Sequence, residues 1–519
     1  MALSDKERAI QIVVKRLLSG ERELEKLKLD AARKYRLKEF IRNSDILEKL
    51  NATERKRFLS ILQKRPMRTL SGVTPVAVMI KPEGSCPYSC IYCPTGLGAK
   101  SYTGYEPAAL RARQEKFDPF GQVNNRLRHY QDTGHETSKC EIIVMGGTFL
   151  RMPRAYKRSF IKGIYDALNG KISKTLNLAK HRNETAIHRA IGLTIETRPD
   201  VCGKDEINEM LEFGATRVEL GVQHPDDEIY KTLDRGHKTI DVIHATKLLK
   251  DSAFKVCYHL MPGLPGSDKK KDIAMVKRLF DNPDFRPDML KIYPTLVMPD
   301  TGLAKMAEQG KYTPYDTETA ADAISDFYRY IPEYVRVMRI QRDIPTGLIG
   351  CGVKNSNLRQ LVENQVKEKG IIPKEIRLRE IGLSREGFER SEFKLKIKEY
   401  EASGGKEFFI SFVNKKNMLA GFSRLRIPNE PFRKEIAYDP HASLIRELHV
   451  YGSEVEVGSE GKGKAQHSGF GSQLLAEAER IAKEQFDSKK MVVISGVGAR
   501  EYYRKHAYSD DGPYVSKKL

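Results

Sequence analysis

Apolar residues near the start of the chain recur three or four positions apart: Ile10, Val13, Val14, Leu17 and Leu18. That is the period of one buried helix face. Few glycines or prolines interrupt the chain before Pro66, so residues 1–72 are expected to be helical. From Val73 to about residue 343 the pattern changes. Short apolar runs at 76–80, 141–145, 191–195, 217–221, 255–260 and 289–293 alternate with amphipathic stretches. Each run has the length of a strand buried on both faces. Six such strand–helix units predict an α/β fold with a parallel sheet curled into a partial barrel. Residues 344–403 read as a connecting region, and their Lys- and Glu-rich part, 367–398, as an exposed linker with short helices. Residues 404–519 read as a second domain, of α+β type. Runs 408–412 and 419–425 form a hairpin around Asn414 and Asn417, and 444–450 is a further strand. A glycine loop follows, then a helix with Leu474, Leu475, Ala478, Ile481 and Ala482 on one face. A strand at 492–496 and a tyrosine-bearing stretch at 499–505 complete the pattern.

Charge changes the picture at the N-terminus. The chain of 519 residues carries a net +21, and residues 1–70 alone hold 19 Lys and Arg against 10 Asp and Glu. Such an excess favours a polyanionic partner. The basic helical segment is therefore expected to touch nucleic-acid phosphates. A helical cap packed on the next domain is the plainer reading, and the two are compatible. No run of eighteen apolar residues occurs, so no membrane helix is expected. The first residues lack a secretory apolar stretch. Seven cysteines, three of them close together, do not make a disulfide framework. A reducing, cytoplasmic setting suits both features.

Those three cysteines carry the strongest chemical signal. Cys86, Cys90 and Cys93 are spaced C-x3-C-x2-C just after the first predicted strand. Three thiolates in so tight a loop suit a 4Fe–4S cluster that keeps one iron free of protein ligands. S-adenosylmethionine is the usual chelator of that iron, and Tyr92 fits the aromatic position of radical-SAM loops. A zinc knuckle or three reduced thiols is the bland alternative. Zinc wants a fourth ligand nearby, and residues 84–94 hold no other Cys or His.

In a partial barrel, functional residues sit at the C-terminal ends of the strands. Those ends are polar here. Gly146, Gly147 and Thr148 follow the second run, where glycines let the backbone approach a ligand such as the amino end of S-adenosylmethionine. Glu196 ends the third, Glu219 lies in the fourth before Gln223 and His224, and Lys291 and Tyr293 lie in the sixth. Any one of these is weak. Together, beside a cysteine triplet, they mark one site.

The C-terminal glycine loop reads Gln466-x-x-Gly469-Phe470-Gly471 before Ser472. Amide N–H groups exposed at a helix N-terminus bind pyrophosphate. The order strand, Q-x-x-G-x-G, helix, strand, Tyr-bearing helix resembles the acetyl-CoA-binding fold of N-acetyltransferases. Tyr502 or Tyr503 could protonate a departing CoA thiolate, and only one of the pair is expected to face the site.

The pairing of a radical-SAM loop with an acetyltransferase-like C-terminus resembles the catalytic subunit of Elongator. The stretches that carry the likeness are residues 101–107, 143–149, 219–223, 291–296, 446–452 and 496–505. The resemblance implies carboxymethylation of carbon 5 of the wobble uridine in tRNA, with acetyl-CoA and S-adenosylmethionine consumed and an electron donor required. It implies that Cys86, Cys90 and Cys93 hold the cluster and that Lys139 contacts acetyl-CoA. It assigns Glu447, Leu448, His449, Val450, Phe470, Gly471, Ser472 and Tyr503 to acetyl-CoA as well. Lys291 and Tyr293 match positions thought to hold substrate. The cysteine spacing is the compact, prokaryotic one. Many prokaryotic members also carry a C-x-C-x2-C zinc motif, but the matching stretch 373–382 has no cysteine, so no zinc is expected there.

The implied chemistry starts with a 5′-deoxyadenosyl radical, which takes hydrogen from the acetyl methyl group. The resulting carbon radical adds to uracil carbon 5, and thioester hydrolysis releases CoA. The closest rival reading is a lysine N-acetyltransferase with a structural cluster. The basic N-terminal segment argues against it, because it would repel a cationic substrate. Intact cysteines beside Gly146 and Gly147 argue against a non-enzymatic RNA scaffold. The basic segment also disfavours a radical enzyme acting on free small molecules.

Overall fold

The computed structural model describes residues 4–63, 72–83, 86, 88–94, 96–383, 389–437, 441–451 and 469–519. The six apolar runs are strands β1 (Thr74–Met79), β2 (Lys139–Met145), β3 (Arg189–Thr197), β4 (Arg217–Gln223), β5 (Lys255–Leu260) and β6 (Met289–Ile292). A seventh, β7 (Arg336–Ile340), extends the sheet, and neighbours pair in parallel in chain order β1 to β7. The run Arg-Val-Met-Arg-Ile hides β7 from the apolar pattern. Its arginines find partners in the fold: Arg336 reaches Glu380 at 2.6 Å and the Tyr451 hydroxyl at 2.8 Å. Helices between parallel strands cover the outer face and curl the sheet into a half-barrel.

Within the connecting region 344–403, the 367–398 part is not an exposed linker throughout, because Ile371, Glu375 and Ile376 are buried. Helix Leu358–Glu368 buries Leu358, Val362 and Val366. The buried Glu375 carboxylate accepts the N–H groups of Val337, Arg377 and Leu378. Strand β8 (Lys394–Ala402) then belongs to the second sheet, pairing along its length with β9 (Gly405–Val413). Its exposed Lys–hydrophobic alternation is that of an edge strand, which reads as a polar linker in a composition-based scan.

The second sheet continues through β10 (Leu419–Ile427), β11 (Ala442–Val450), β12 (Lys490–Val493), β13 (Ser509–Asp511) and β14 (Tyr514–Lys518). Its order is β13-β14-β12-β11-β10-β9-β8. The predicted hairpin is β9–β10, where Asn414 Oδ1 accepts the N–H groups of Lys416 and Met418. One pair, β11–β12, is parallel, and helix Phe470–Phe486 lies in the crossover between them. It pairs only over residues 442–445 with 490–493, so β11 parts from β12 at Arg446.

The two sheets share one apolar core. Between them lies a buried ionic network. Arg446 grips Asp288 with both ends of its guanidinium (2.6 and 2.8 Å) and Glu407 at 2.8 Å. Arg426 reaches Asp251 at 2.6 Å and Glu407 at 3.0 Å. Glycines let the backbones meet: a Cβ on Gly496 would fall 2.0 Å from the Ile191 carbonyl oxygen of β3.

The N-terminal segment forms helices Asp5–Leu18, Leu24–Lys34, Asn43–Lys49 and Ala52–Leu62 around a small core of its own. Ser4 with Glu7 and Asn51 with Glu54 form capping boxes that start the first and last of these. The segment rests on helix Pro119–Asp132 of the half-barrel. Of the basic residues expected on its surface, Lys64, Arg65 and Arg68 lie outside the described residues.

Candidate active site

The cysteine loop leaves β1 and folds over the C-terminal ends of the strands. Cys86, Cys90 and Cys93 are unbridged and line one cavity of about 470 Å³. A tight turn, with the Cys93 N–H on the Cys90 carbonyl at 2.9 Å, brings the last two together. Cys90 sits between two guanidinium groups: Arg198 Nη1 is 3.8 Å and Arg235 Nη1 3.7 Å from its sulfur. Arg198 is braced by Asp200 at 2.9 Å and lies 3.6 Å over the Tyr88 ring. Arg235 donates to the Tyr92 hydroxyl at 2.8 Å. Cations beside a thiol favour the thiolate. Burial, reinforced by Cys90, pushes the Cys93 thiol up to about 11. A thiolate in that setting needs a cationic centre to bind. Three converging thiols with two fixed cations therefore fit an iron–sulfur cluster. Cys140, Cys202 and Cys257 are buried elsewhere in the fold, and Cys351 is exposed.

Below the cysteines the cavity wall is polar. Gly147, Glu196, Glu219, Gln223, Lys291 and Tyr293 all line it. Gly146 holds φ at +132°, and a Cβ there would meet Ile80 at 2.5 Å, so only glycine fits. Gln223 also has positive φ, and its buried Oε1 lacks a hydrogen-bond partner among the described residues. A buried polar atom left unpaired at a cavity is a docking point for a ligand. Lys291 contacts Glu219 and lies 3.9 Å from Glu196. Burial would lower the Lys291 ammonium, but Glu219 outweighs it and holds the pKa well above its ordinary value. Burial would likewise raise Glu219, but Lys291 and His259 hold its carboxyl well below the usual range. Tyr102 donates to Glu196 at 2.7 Å. Among the described residues, Glu219, Cys257 and His259 could group around a metal ion. The Lys291 ammonium and the Arg217 guanidinium already occupy Glu219, so this is an ion-pair cluster.

His224 turns away from this wall. It is buried, and neither ring nitrogen has a hydrogen bond among the described residues. Burial, helped by Arg278 and Lys271 and opposed by Asp226, pushes it down to about 4. A group whose folded pKa is depressed adds stability above its unfolded value, near 6.5, that is lost as pH falls towards about 4. Lowering the pH from 7.5 to 5.5 is expected to remove about 1 kcal/mol through this residue. Urea unfolding of wild type and His224→Phe at the two pH values measures it, the variant lacking that share of the drop.

At the other end of the strands lies a second group of predicted residues. Lys139 opens β2 and pairs with Arg189 of β3, against which Gly498 packs. Glu447, Leu448, His449 and Val450 are half-buried on the stretch of β11 that has parted from β12. Glu447 accepts from Arg424 at 2.8 Å, and Arg424 and Lys255 offset the effect of burial and hold its carboxyl low. His449 packs on Tyr451 with ring centroids 4.4 Å apart.

Helix Phe470–Phe486 starts at Gly469, whose φ of +79° favours glycine. Phe470 is buried against Phe412. Gly471 is tight against the Tyr502 hydroxyl, where a Cβ would fall 2.8 Å away. Ser472 Oγ lies 3.4 Å from His506 Nε2. Of the tyrosine pair, Tyr502 is exposed beside this helix start, while Tyr503 is buried against Tyr502 and Tyr508, its hydroxyl held protonated by burial. Gln466 lies outside the described residues.

Several cavity residues escaped the sequence reading: Tyr102, Arg198, Arg235, His259, Arg339 and Arg342. A usable signal existed for His259 alone, a polar residue at an alternate position of a buried strand. Arg198, Arg235 and Arg342 come from loops and Arg339 from β7, and only folding brings them to one cavity.

Comparison with known proteins was informative over the whole chain. Residues 80–279 match the model of the Radical SAM superfamily, 287–368 that of a Radical_SAM C-terminal domain, and 6–70 that of the ELP3 N-terminal domain. The chain is 46% identical to the tRNA uridine(34) acetyltransferase of Methanocaldococcus jannaschii, over 100% of this chain and 99% of that protein. It is 40% identical to human Elongator complex protein 3, over 98% and 96%. The solved structure of archaeal Methanocaldococcus infernus Elp3 with an N-terminal deletion superposes with a TM-score of 0.78 at 45% identity. It covers 86% of this chain and 100% of that one.

Proposed function

The chain belongs to the family of Elongator complex protein 3 and the tRNA uridine(34) acetyltransferases, and on that premise we propose that it carboxymethylates carbon 5 of the wobble uridine in tRNA, using acetyl-CoA and S-adenosylmethionine. Membership makes it an enzyme with a radical SAM domain, and that domain implies a 4Fe–4S cluster and S-adenosylmethionine. No helix among the described residues is long and apolar enough to cross a membrane.

The observation that carries the proposal is the shared cavity: three cysteines, Gly147 at a strand end and the Lys291–Glu219 pair open into one space. Cys86, Cys90 and Cys93 would hold the cluster, which with S-adenosylmethionine would supply the radical chemistry needed to open a C–H bond that acid–base groups cannot. Arg198 and Arg235 flank the Cys90 sulfur and fix its place in the loop. Gly146, Gly147, Glu196 and Gln223 receive S-adenosylmethionine. Lys291 and Tyr293 hold the uracil by its carbonyl groups, and the enclosed wall excludes water. In the second domain the amides of Gly469 to Ser472 hold the CoA pyrophosphate. Lys139, Glu447, Leu448, His449 and Val450 take the rest of acetyl-CoA. The basic N-terminal helices meet tRNA phosphates.

Tyr503 is the buried member of the pair, and its protonated phenol is the donor to the departing thiolate. Tyr503→Phe is expected to slow tRNA-dependent CoA release about 10²-fold with CoA affinity unchanged. Tyr502→Phe, at the helix start, should instead weaken CoA binding and leave the hydrolysis rate of bound thioester intact. CoA release and CoA binding measured on both variants separate the roles.

The function itself is tested by anaerobic incubation of the protein with tRNA, acetyl-CoA, S-adenosylmethionine and a reductant. Mass spectrometry of the wobble nucleoside should show a carboxymethyl group on the uracil. Acetylated protein lysines with unmodified tRNA would overturn the proposal in favour of a lysine acetyltransferase.

A further inference from the structure

The roles above leave several cavity side chains unused, His259 among them. His259 on β5 lines the wall and meets Tyr293 edge-on, ring centroids 5.4 Å apart. Its Nε2 lies 2.8 Å from Oε2 of Glu219. A carboxylate can only accept, so Nε2 carries the hydrogen and Nδ1 keeps a lone pair. Glu219 is itself pinned by Lys291 and Arg217, which fixes the imidazole plane. Nδ1 has no partner among the described residues.

Resting on the reading of the preceding section, we propose that His259, oriented by Glu219, is the base that removes the proton from uracil carbon 5 once the acetyl carbon has been joined there. The balance is as follows. The acetyl-derived radical bonds to carbon 5 with its own electron and one π electron of the C5=C6 bond, leaving one electron at carbon 6. Nδ1 takes the carbon-5 hydrogen as a proton. The C–H electron pair rebuilds the C5=C6 bond. The surplus electron, shared with the C4 carbonyl beside the Lys291 cation, leaves to a one-electron acceptor of the iron–sulfur or flavin class.

The test uses full-length, cluster-loaded protein with all substrates. His259→Asn and His259→Gln keep a polar side chain towards Glu219 but have no basic nitrogen. Both are expected to form 5′-deoxyadenosine at close to the wild-type rate while carboxymethyl product falls about 10²- to 10⁴-fold. With tRNA deuterated at uridine carbon 5, their residual product formation should show an isotope effect that the wild type lacks. Added imidazole should restore product to His259→Gly. A merely structural role would lower 5′-deoxyadenosine and product together. An unchanged ratio of the two in either variant, with product still formed by the wild type, overturns the His259 assignment alone. Absence of any carbon-5 product from the wild type overturns the functional reading and this assignment with it.

Discussion

Cys90→Ala is expected to abolish both cluster binding and S-adenosylmethionine cleavage. Cys90 is the most enclosed of the three cysteines, and its sulfur faces Arg198 and Arg235. The substitution removes one of the three sulfur ligands and the side chain that both arginines reach, so the loop loses a cluster ligand and a contact that orders it. Iron and sulfide content after anaerobic reconstitution, and 5′-deoxyadenosine formed without tRNA, measure the two losses. Cys351→Ala, an exposed cysteine outside the cavity, is the control and should keep full values of both. A Cys90→Ala protein with a complete cluster would overturn the ligand assignment.

Arg446→Met is expected to destabilise the whole molecule by about 3–5 kcal/mol. Arg446 is fully buried between the sheets, and its side chain joins Asp288, at the entrance to β6, to Glu407 on β9. Methionine fills similar volume but leaves two carboxylates short of a cation. Of the remaining cations, Lys250 lies 3.6 Å from each carboxylate, and Arg424 and Arg426 are already shared with Glu447 and Asp251. Because the sheets share one core, the loss should move a single unfolding transition. Urea unfolding measures it. The double variant Arg446→Met with Asp288→Asn should recover part of the loss, since it removes one of the stranded charges. A shift below about 1 kcal/mol, the scale of an exposed pair, would mean that the network does not couple the domains.

Much of this was legible in the chain because the signals are local. A C-x3-C-x2-C loop after an apolar run needs no tertiary information, since ligand spacing and strand length both lie within a few residues. The same holds for Asn414 in the β9–β10 turn and for the glycine that starts helix Phe470–Phe486. Strand β7 was missed because its inward and outward arginines break the apolar run that marks a buried strand. Strand β8 was missed because an edge strand exposes both faces and looks like a charged linker. His224 was placed with Gln223 at a strand end, but the next residue along a strand faces the other way, and only Gln223 enters the cavity.

The sequence by itself determined the elements and the kinds of chemistry: the parallel half-barrel, the mixed second sheet, the cysteine loop, the glycine loop and the basic N-terminal helices. Hydrophobic period and short-range spacing encode each of these. Only the tertiary structure decided which groups act on one another. Arg198 stands 108 residues from Cys90 and Arg235 stands 145, yet both reach its sulfur. Glu219, His259 and Lys291 meet across adjacent parallel strands: His259 is level with Lys291, and Glu219 is level with Cys257, two residues before His259 on the same face of β5. Asp288 and Arg446 are charged residues that no pattern would bury, and they are buried because each satisfies the other. Charge pairing and proton transfer depend on distances of a few ångströms across strands far apart in the chain, and closing those distances is the work of the packed core.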